Sequence, residues 1–411
     1  MKILHTADWH LGDRLGRIDR TDDLRRAVER VARYCDEHRV DVLLIAGDLF
    51  SELSRPDNLR ASIEHLQEVF EPFLLNGGTI LAITGNHDNE NFCQTLGLVM
   101  KLAAPATDRE GDCRPSGRLY LATNPTFLRL ADRDGREVQF ILMPYPTPTR
   151  YLRDAEAQKY GSLEEKNRHL QIAYARRLRE IQEDSRYSHE LPTVLAAHIH
   201  VQGATLPTLF RISEQESIIF DENDLPTGLA YVALGHVHQP QMLRGMPHVR
   251  YSGSIERLDL GERRDDKGVV LLEIDPREGL RGEPVFLPIE ATPIYAVELH
   301  TPLREGLRQL REQYPDARRD LVKIEIRYTA GVDNLEEALR ELEDIFPRWY
   351  ARSWAEIGAL GPELSPPGAH QAKSFEDTVR DYLRHELMNY PEADRDAILA
   401  RAEALMKEVG A

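Results

Sequence analysis

Five short stretches of this chain end in side chains that bind metals. Asp8-Trp9-His10, Gly47-Asp48, Gly85-Asn86-His87-Asp88, His198-Ile199-His200 and Gly235-His236-Val237-His238 follow apolar runs at 2–6, 40–46, 79–84, 193–197 and 230–234. The donors are carboxylates, one amide oxygen and several imidazoles, with no thiolate. That set suits borderline-hard divalent cations such as manganese or iron and does not suit a closed structural zinc site. Asp8, His10, Asp48, Asn86, His198, His236 and His238 are too many ligands for one ion that must keep a coordination position open. Two ions about 3.5–4 Å apart, sharing one carboxylate, is the economical arrangement. Such a pair clamps a phosphate and acidifies a water, so phosphoester hydrolysis is the chemistry to expect. Taken singly, each residue has a plainer role as a turn former or a packed histidine; the joint pattern is what resists coincidence. His200 reads as a surface histidine and Trp9 as packing beneath the site.

The elements that must position these residues are legible in the same runs. Each run is short, rich in Val, Ile and Leu, and bounded by Gly, Pro, Asp or Asn, as expected of a strand buried on both faces. Residues 139–143 form a further run of this kind. Leu24, Val28, Val31 and Tyr34, and then Leu59, Ile63, Leu66 and Val69, recur at helical spacing between the first three runs. The resulting βαβα order predicts an α/β domain. In a mostly parallel sheet the C-terminal strand ends share one edge, where open α/β folds place their sites. Ligands two apart in extended chain point the same way, so the DxH and HxH pairs can each face one site. Residues 163–184 read as a charge-rich, solvated helix, and 269–274 and 284–289 as closing strands.

A second unit starts near residue 291, with a strand at 294–299, a helix at 303–314, a strand at 321–328 and a helix through Leu335, Leu339 and Leu342. This order predicts a small α+β domain of ferredoxin-like type. Residues 361–368 carry prolines and glycines that continue neither helix nor strand, which predicts a linker. Beyond it, Phe375, Val379, Tyr382, Leu383 and Leu387, and then Ile398, Leu405 and Val409, form apolar stripes of two helices. The expected division is a catalytic domain at 1–290, a capping domain at 291–360, a linker at 361–373 and C-terminal helices at 374–411.

Composition bounds the function. The chain has 411 residues, 41% hydrophobic and 29% charged, with a formal net charge of −17. That balance argues against gripping nucleic acid by bulk positive charge, though not against a nucleic acid substrate held by metal ions. Cys35, Cys93 and Cys113 lie far apart and offer neither a disulfide framework nor a thiolate site, as in a reducing compartment. No apolar stretch approaches the roughly 18 residues of a membrane span, and the first residues lack a signal-peptide core. A cytoplasmic protein with no membrane partner is expected.

The order Asp8-x-His10, Gly47-Asp48, Gly85-Asn86-His87-Asp88, His198 and Gly235-His236-x-His238 resembles the five motifs of the calcineurin-like metallophosphoesterases. The segments LHTADWHLG at 4–12, GDLF at 47–50, LAAHIHVQGA at 195–204 and YSGSIERLDLGE at 251–262 resemble one branch, the nuclease subunits of SbcCD-type exonucleases. The resemblance implies an α/β fold, a four-layer α-β-β-α sandwich with a small capping domain and C-terminal helices. Asp8, His10, Asp48 and His238 would hold one ion, and Asp48, Asn86, His198 and His236 the other, with Asp48 bridging. His87 would contact the scissile phosphate and assist the leaving oxygen, oriented by Asp88, with Ser252, Gly253 and Ser254 as a substrate-binding loop. Two Mn2+ ions are implied, with Fe2+ or Mg2+ as substitutes. The implied activity is a DNA exonuclease or endonuclease acting at ends or hairpins. The implied partners are DNA and an ABC-type ATPase with a coiled coil, in a heterotetramer built on a homodimer. The alternative is a stand-alone phosphoesterase for small phosphate esters or cyclic nucleotides. A non-catalytic end-binding subunit would not need the complete ligand set.

Overall fold

The apolar runs fold as strands because both of their faces are covered, and the computed structural model shows what covers each. It describes residues 1–51, 56–103, 114, 116–152, 160–205, 218–357, 398, 399 and 401. Met1–Ala355 forms one unit and Glu356–Ala411 another. The expected linker and C-terminal helices lie outside the described residues, apart from 398, 399 and 401, which are helical. Among the described residues no helix is long and apolar enough to cross a membrane.

One sheet runs in the order Gly279–Leu280, Lys267–Asp275, Lys2–Thr6, Val42–Ala46, Thr79–Ile83, Leu119–Ala122, with Val285–Ile289 also paired to Lys267–Asp275. Lys2–Thr6 through Leu119–Ala122 are parallel, and Lys267–Asp275 is antiparallel to Lys2–Thr6. The second sheet runs Gln241–Leu243, Met246–Tyr251, Tyr231–Gly235, Thr193–His198, Glu137–Met143, Thr126–Ala131.

Successive residues of one strand go to different cores, as the period of two demands. Val42 and Leu44 pack with Phe140, Leu142, Val194 and Ala233 between the sheets. Leu43 and Ile45 pack instead with Leu24, Val28, Val31 and Phe70, from the helices Thr21–Glu37 and Pro56–Leu75. On the second sheet, Ile141, Leu195 and Leu234 meet Leu170, Tyr174 and Leu178 of the helix Leu163–Gln182. The result is helix, sheet, sheet, helix. That is the expected four-layer sandwich, and two narrower expectations change. The candidate ligands leave two sheets rather than one, and the charge-rich helix is an outer layer whose apolar side is buried.

The small domain also departs from expectation. Ile294–His300 pairs directly and in parallel with Leu321–Tyr328, and Trp349–Glu356 completes a three-stranded sheet. A ferredoxin-like unit splits its βαβ elements around an intervening strand, so this domain is not ferredoxin-like. Val297, Leu299, Leu307, Val322, Ile324 and Leu342 form its core. Arg348 ties it to the catalytic layers by placing Nη2 2.5 Å from Asp23 Oδ2 and Nη1 3.1 Å from Asp23 Oδ1.

Candidate metal centre

Where the strands end, the backbone turns sharply. Asp8, His10, Asp48 and His236 adopt φ values of 55°, 46°, 52° and 92°; among the described non-glycine residues only Arg39 joins them in the left-handed region. Such conformations cost of order 1–3 kcal/mol each and persist at sites where the surroundings enforce them. Here the enforcement is close packing between the two sheets. A Cβ on Gly235 would lie 2.0 Å from the Ala46 carbonyl oxygen, so only glycine lets the two motif turns touch.

The turns bring the seven expected ligands together. Donor atoms of Asp8, His10 and His238 lie within 4.8 Å of one another, and so do those of Asp8, Asp48 and His198; all five residues are buried. Asp48 Oδ2 stands 3.6 Å from His10 Nε2 and 3.2 Å from His198 Nε2, between the two groups. Asn86 Oδ1 lies 3.0 Å from His198 Nε2 and 2.9 Å from His236 Nδ1. The outer atoms are held by the protein. The main-chain N–H of His236 donates to Asp8 at 3.0 Å, that of His87 to Asp48 Oδ1 at 2.9 Å, and His198 Nδ1 sits 2.7 Å from the Ala46 carbonyl.

Electrostatics point to cations. Burial pushes the Asp8 carboxyl up to about 6, against the pull of His198 and His238. Burial, then the neighbouring Asp48, pushes Asp88 up to about 6 as well. Asp48 goes the other way: burial opposes its ionisation, but His198 outweighs it and holds the carboxyl well below the usual range. Burial alone would lower His198, yet Asp48 raises it to about 9. Burial, reinforced by His198, keeps His236 well below the usual histidine range. A buried cluster of carboxylates and imidazoles with no thiolate fits a divalent ion of borderline hardness.

The remaining expected residues fall differently. His87 is buried with its ring 5.0 Å from that of His10, and it belongs to neither ligand group. The Asp88 carboxylate accepts main-chain N–H groups of Phe50 and Gly85 at 2.8 Å and of Leu49 at 3.3 Å. Asp88 therefore holds the GDLF and GNHD loops together next to His87. Ser252 and Ser254 are fully buried, and their hydroxyls meet the Gly253 and Glu256 carbonyls. Ser254 also donates its main-chain N–H to the His238 carbonyl at 3.1 Å, so this loop lies beside the site. His200 is 7% exposed, with its ring 6.4 Å from that of His236, so it is not a surface histidine. Trp9 packs under the site on Phe70, as expected.

Two features of the site carry no ligand-type signal in the sequence. Tyr145 lies with its ring 5.8 Å from His236 and 6.1 Å from His198, on a loop bonded to the Thr84 carbonyl. Glu262 Oε1 lies 2.8 Å from His238 Nδ1. The only hint of it is an acidic residue closing the YSGSIERLDLGE segment.

The fold, the strand-end ligands and the buried charge cluster together define a metal-dependent phosphoesterase of the calcineurin-like kind. The calcineurin-like phosphoesterase family profile matches residues 1–240, and the chain belongs to that family. Its relatives include bacterial proteins named as the SbcD subunit of the nuclease SbcCD. The chain is 29% identical to the one from Bacillus subtilis (strain 168) over 296 residues, 70% of each chain. It is 25% identical to that of Staphylococcus epidermidis over 375 residues, covering 86% of this chain and 85% of the relative. It is 29% identical to the DNA double-strand break repair protein Mre11 of Aeropyrum pernix over 264 residues, 64% of this chain and 55% of that one.

Proposed function

We propose that this chain is the nuclease subunit of a two-metal DNA-processing complex that hydrolyses DNA phosphodiesters at ends or hairpins. The observation that carries the reading is the pair of buried ligand groups that meet at Asp8, with Asp48 Oδ2 between His10 and His198. The names of the relatives supply the substrate class. Asp8, His10, Asp48 and His238 hold one divalent ion; Asp48, Asn86, His198 and His236 hold the other. Manganese suits this donor set best, with Fe2+ or Mg2+ as substitutes. Bound there, such ions polarise a phosphate and acidify water. The protein's own part is to fix the ligands on strained turns, exclude bulk water and place the His87 ring to donate a proton to the leaving oxygen.

The partner in this reading is an ABC-type ATPase with a coiled coil, engaged by the C-terminal helices, in a cytoplasmic complex built on a dimer of this chain. The net charge of −17 favours a second reading, a stand-alone enzyme for small phosphate esters. One comparison separates the two. The full chain with its ATPase should cut duplex DNA ends in the presence of manganese and ATP, and EDTA should abolish cutting. Asp48→Ala should lose both ions, because its carboxylate serves each. Efficient turnover of a small diester with no action on DNA would overturn the nuclease reading, and one bound ion in the wild type would overturn the two-ion site.

A further inference from the structure

We infer that Glu262, locked by Lys267, is a positioning residue that sets the affinity of one of the two ions and makes the pair unequal. The inference rests on the two-ion reading above. Glu262 and Lys267 are both buried, with Lys267 Nζ 2.6 Å from Glu262 Oε2. A buried ion pair is weak evidence for stability, since desolvating both charges offsets much of their attraction. What these two groups do hold is His238. Glu262 Oε1 takes the imidazole at Nδ1, 2.8 Å away, while Lys267 Nζ donates to the His238 carbonyl at 2.9 Å. Lys267 also donates to Ser254 Oγ at 2.9 Å, and the Ser254 N–H donates to the His238 carbonyl at 3.1 Å. Ring and main chain of one residue are thus gripped by one charged pair.

A neutral imidazole has a single N–H. Placing it on Nδ1 toward Glu262 makes Nε2 the lone-pair nitrogen and raises its basicity toward a metal. The corresponding atom of His198 meets a neutral acceptor, the Ala46 carbonyl, at 2.7 Å. His238 of one ligand group thus has an anion, Glu262, behind it, and His198 of the other has a neutral carbonyl. The ion at Asp8, His10 and His238 is the one that Glu262 strengthens.

The test is a Mn2+ titration of the full chain by calorimetry at fixed pH, comparing wild type, Glu262→Gln and the double variant Glu262→Leu/Lys267→Met. The double variant removes both charges, so it leaves no buried lysine unpaired. Wild type should bind two ions. In both variants one ion should weaken by about 10–100-fold, the usual effect of losing such a partner, while the other is unchanged. Ring nitrogen-15 shifts of His238 in metal-free wild type provide a second readout that needs no variant, and should report the Nδ1–H tautomer. Folded variants that bind both ions with wild-type affinity, an equal loss of both ions, or an Nε2–H tautomer would each overturn the inference. Fewer than two ions in wild type would instead overturn the two-ion reading.

Discussion

Gly85 faces Asp48 so closely that a Cβ on it would stand 2.0 Å from Asp48 Oδ1 and 2.6 Å from the Asp48 nitrogen. The turn that carries Asn86 is therefore shaped by the carboxylate expected to bridge the ions. Gly85→Ala must displace Asp48 or open the turn. The expected result is loss of at least one ion and a stability loss of about 1–3 kcal/mol, typical of overpacking. Metal analysis and a urea titration check both; two ions with a wild-type midpoint would show that the turn can give way.

In the proposed reading His87 contacts the phosphate rather than a metal, with its main-chain N–H anchored on Asp48. Its ring should matter to turnover alone. His87→Ala should slow DNA cleavage by about 10²–10⁴-fold, the range for a positioned acid, with two ions still bound. A parallel fall in metal content would make His87 a ligand.

Metal and proton compete at Asp8. Its carboxyl is raised from 3.8 to about 6, and Asp88 likewise, so the metal-free fold binds more protons than the unfolded chain between those values. Their contribution to metal-free stability therefore falls as pH rises through that window and levels off above about 6. Asp48, held low, loses its contribution only in stronger acid, and His198, raised from 6.5 to about 9, loses its contribution as pH rises between those values. Metal binding needs Asp8 unprotonated, so affinity rises across the same window. The gap in melting temperature between manganese-loaded and EDTA-treated protein should be wider at pH 7 than at pH 5. A gap that narrows would contradict the assignment of Asp8 as a ligand.

Asp23 takes three arginines: Arg20 at 2.7 Å, Arg26 at 2.5 Å and Arg348 at 2.5 Å. Arg20 is fully buried and would keep Glu256 Oε1, 3.6 Å away, as its anionic partner, so Asp23→Ala should cost about 3 kcal/mol. Arg348→Ala should cost less, because that side chain is 21% exposed. Urea midpoints of the two variants decide; equal losses would mean the small domain, rather than Arg20, dominates the network.

The candidate ligands are legible because their strands are buried on both faces, which leaves an apolar run with an abrupt polar end. Thr126–Ala131 buries only Leu128 and Leu130, and Trp349–Glu356 buries none of its residues, so neither shows that contrast. The helix Leu163–Gln182 hides its buried side among charges, so Leu170 and Tyr174 do not stand out. The topology of the small domain depends on which strand Ile294–His300 pairs with, a long-range fact absent from local pattern. Ser254 and Glu262 lie within YSGSIERLDLGE, but the direction in which each side chain turns is decided by Lys267 and His238. Residue types alone do not report it.

The ligands come from both halves of the sandwich: Asp8, His10, Asp48 and Asn86 follow strands of one sheet, His198, His236 and His238 strands of the other. Ions held there would act as removable cross-links between the two layers. Prying the layers apart would then require stripping metal first, so a loaded form would open more slowly and offer proteases fewer chances. Metal supply would set how long the protein survives in the cell, as well as how fast it works.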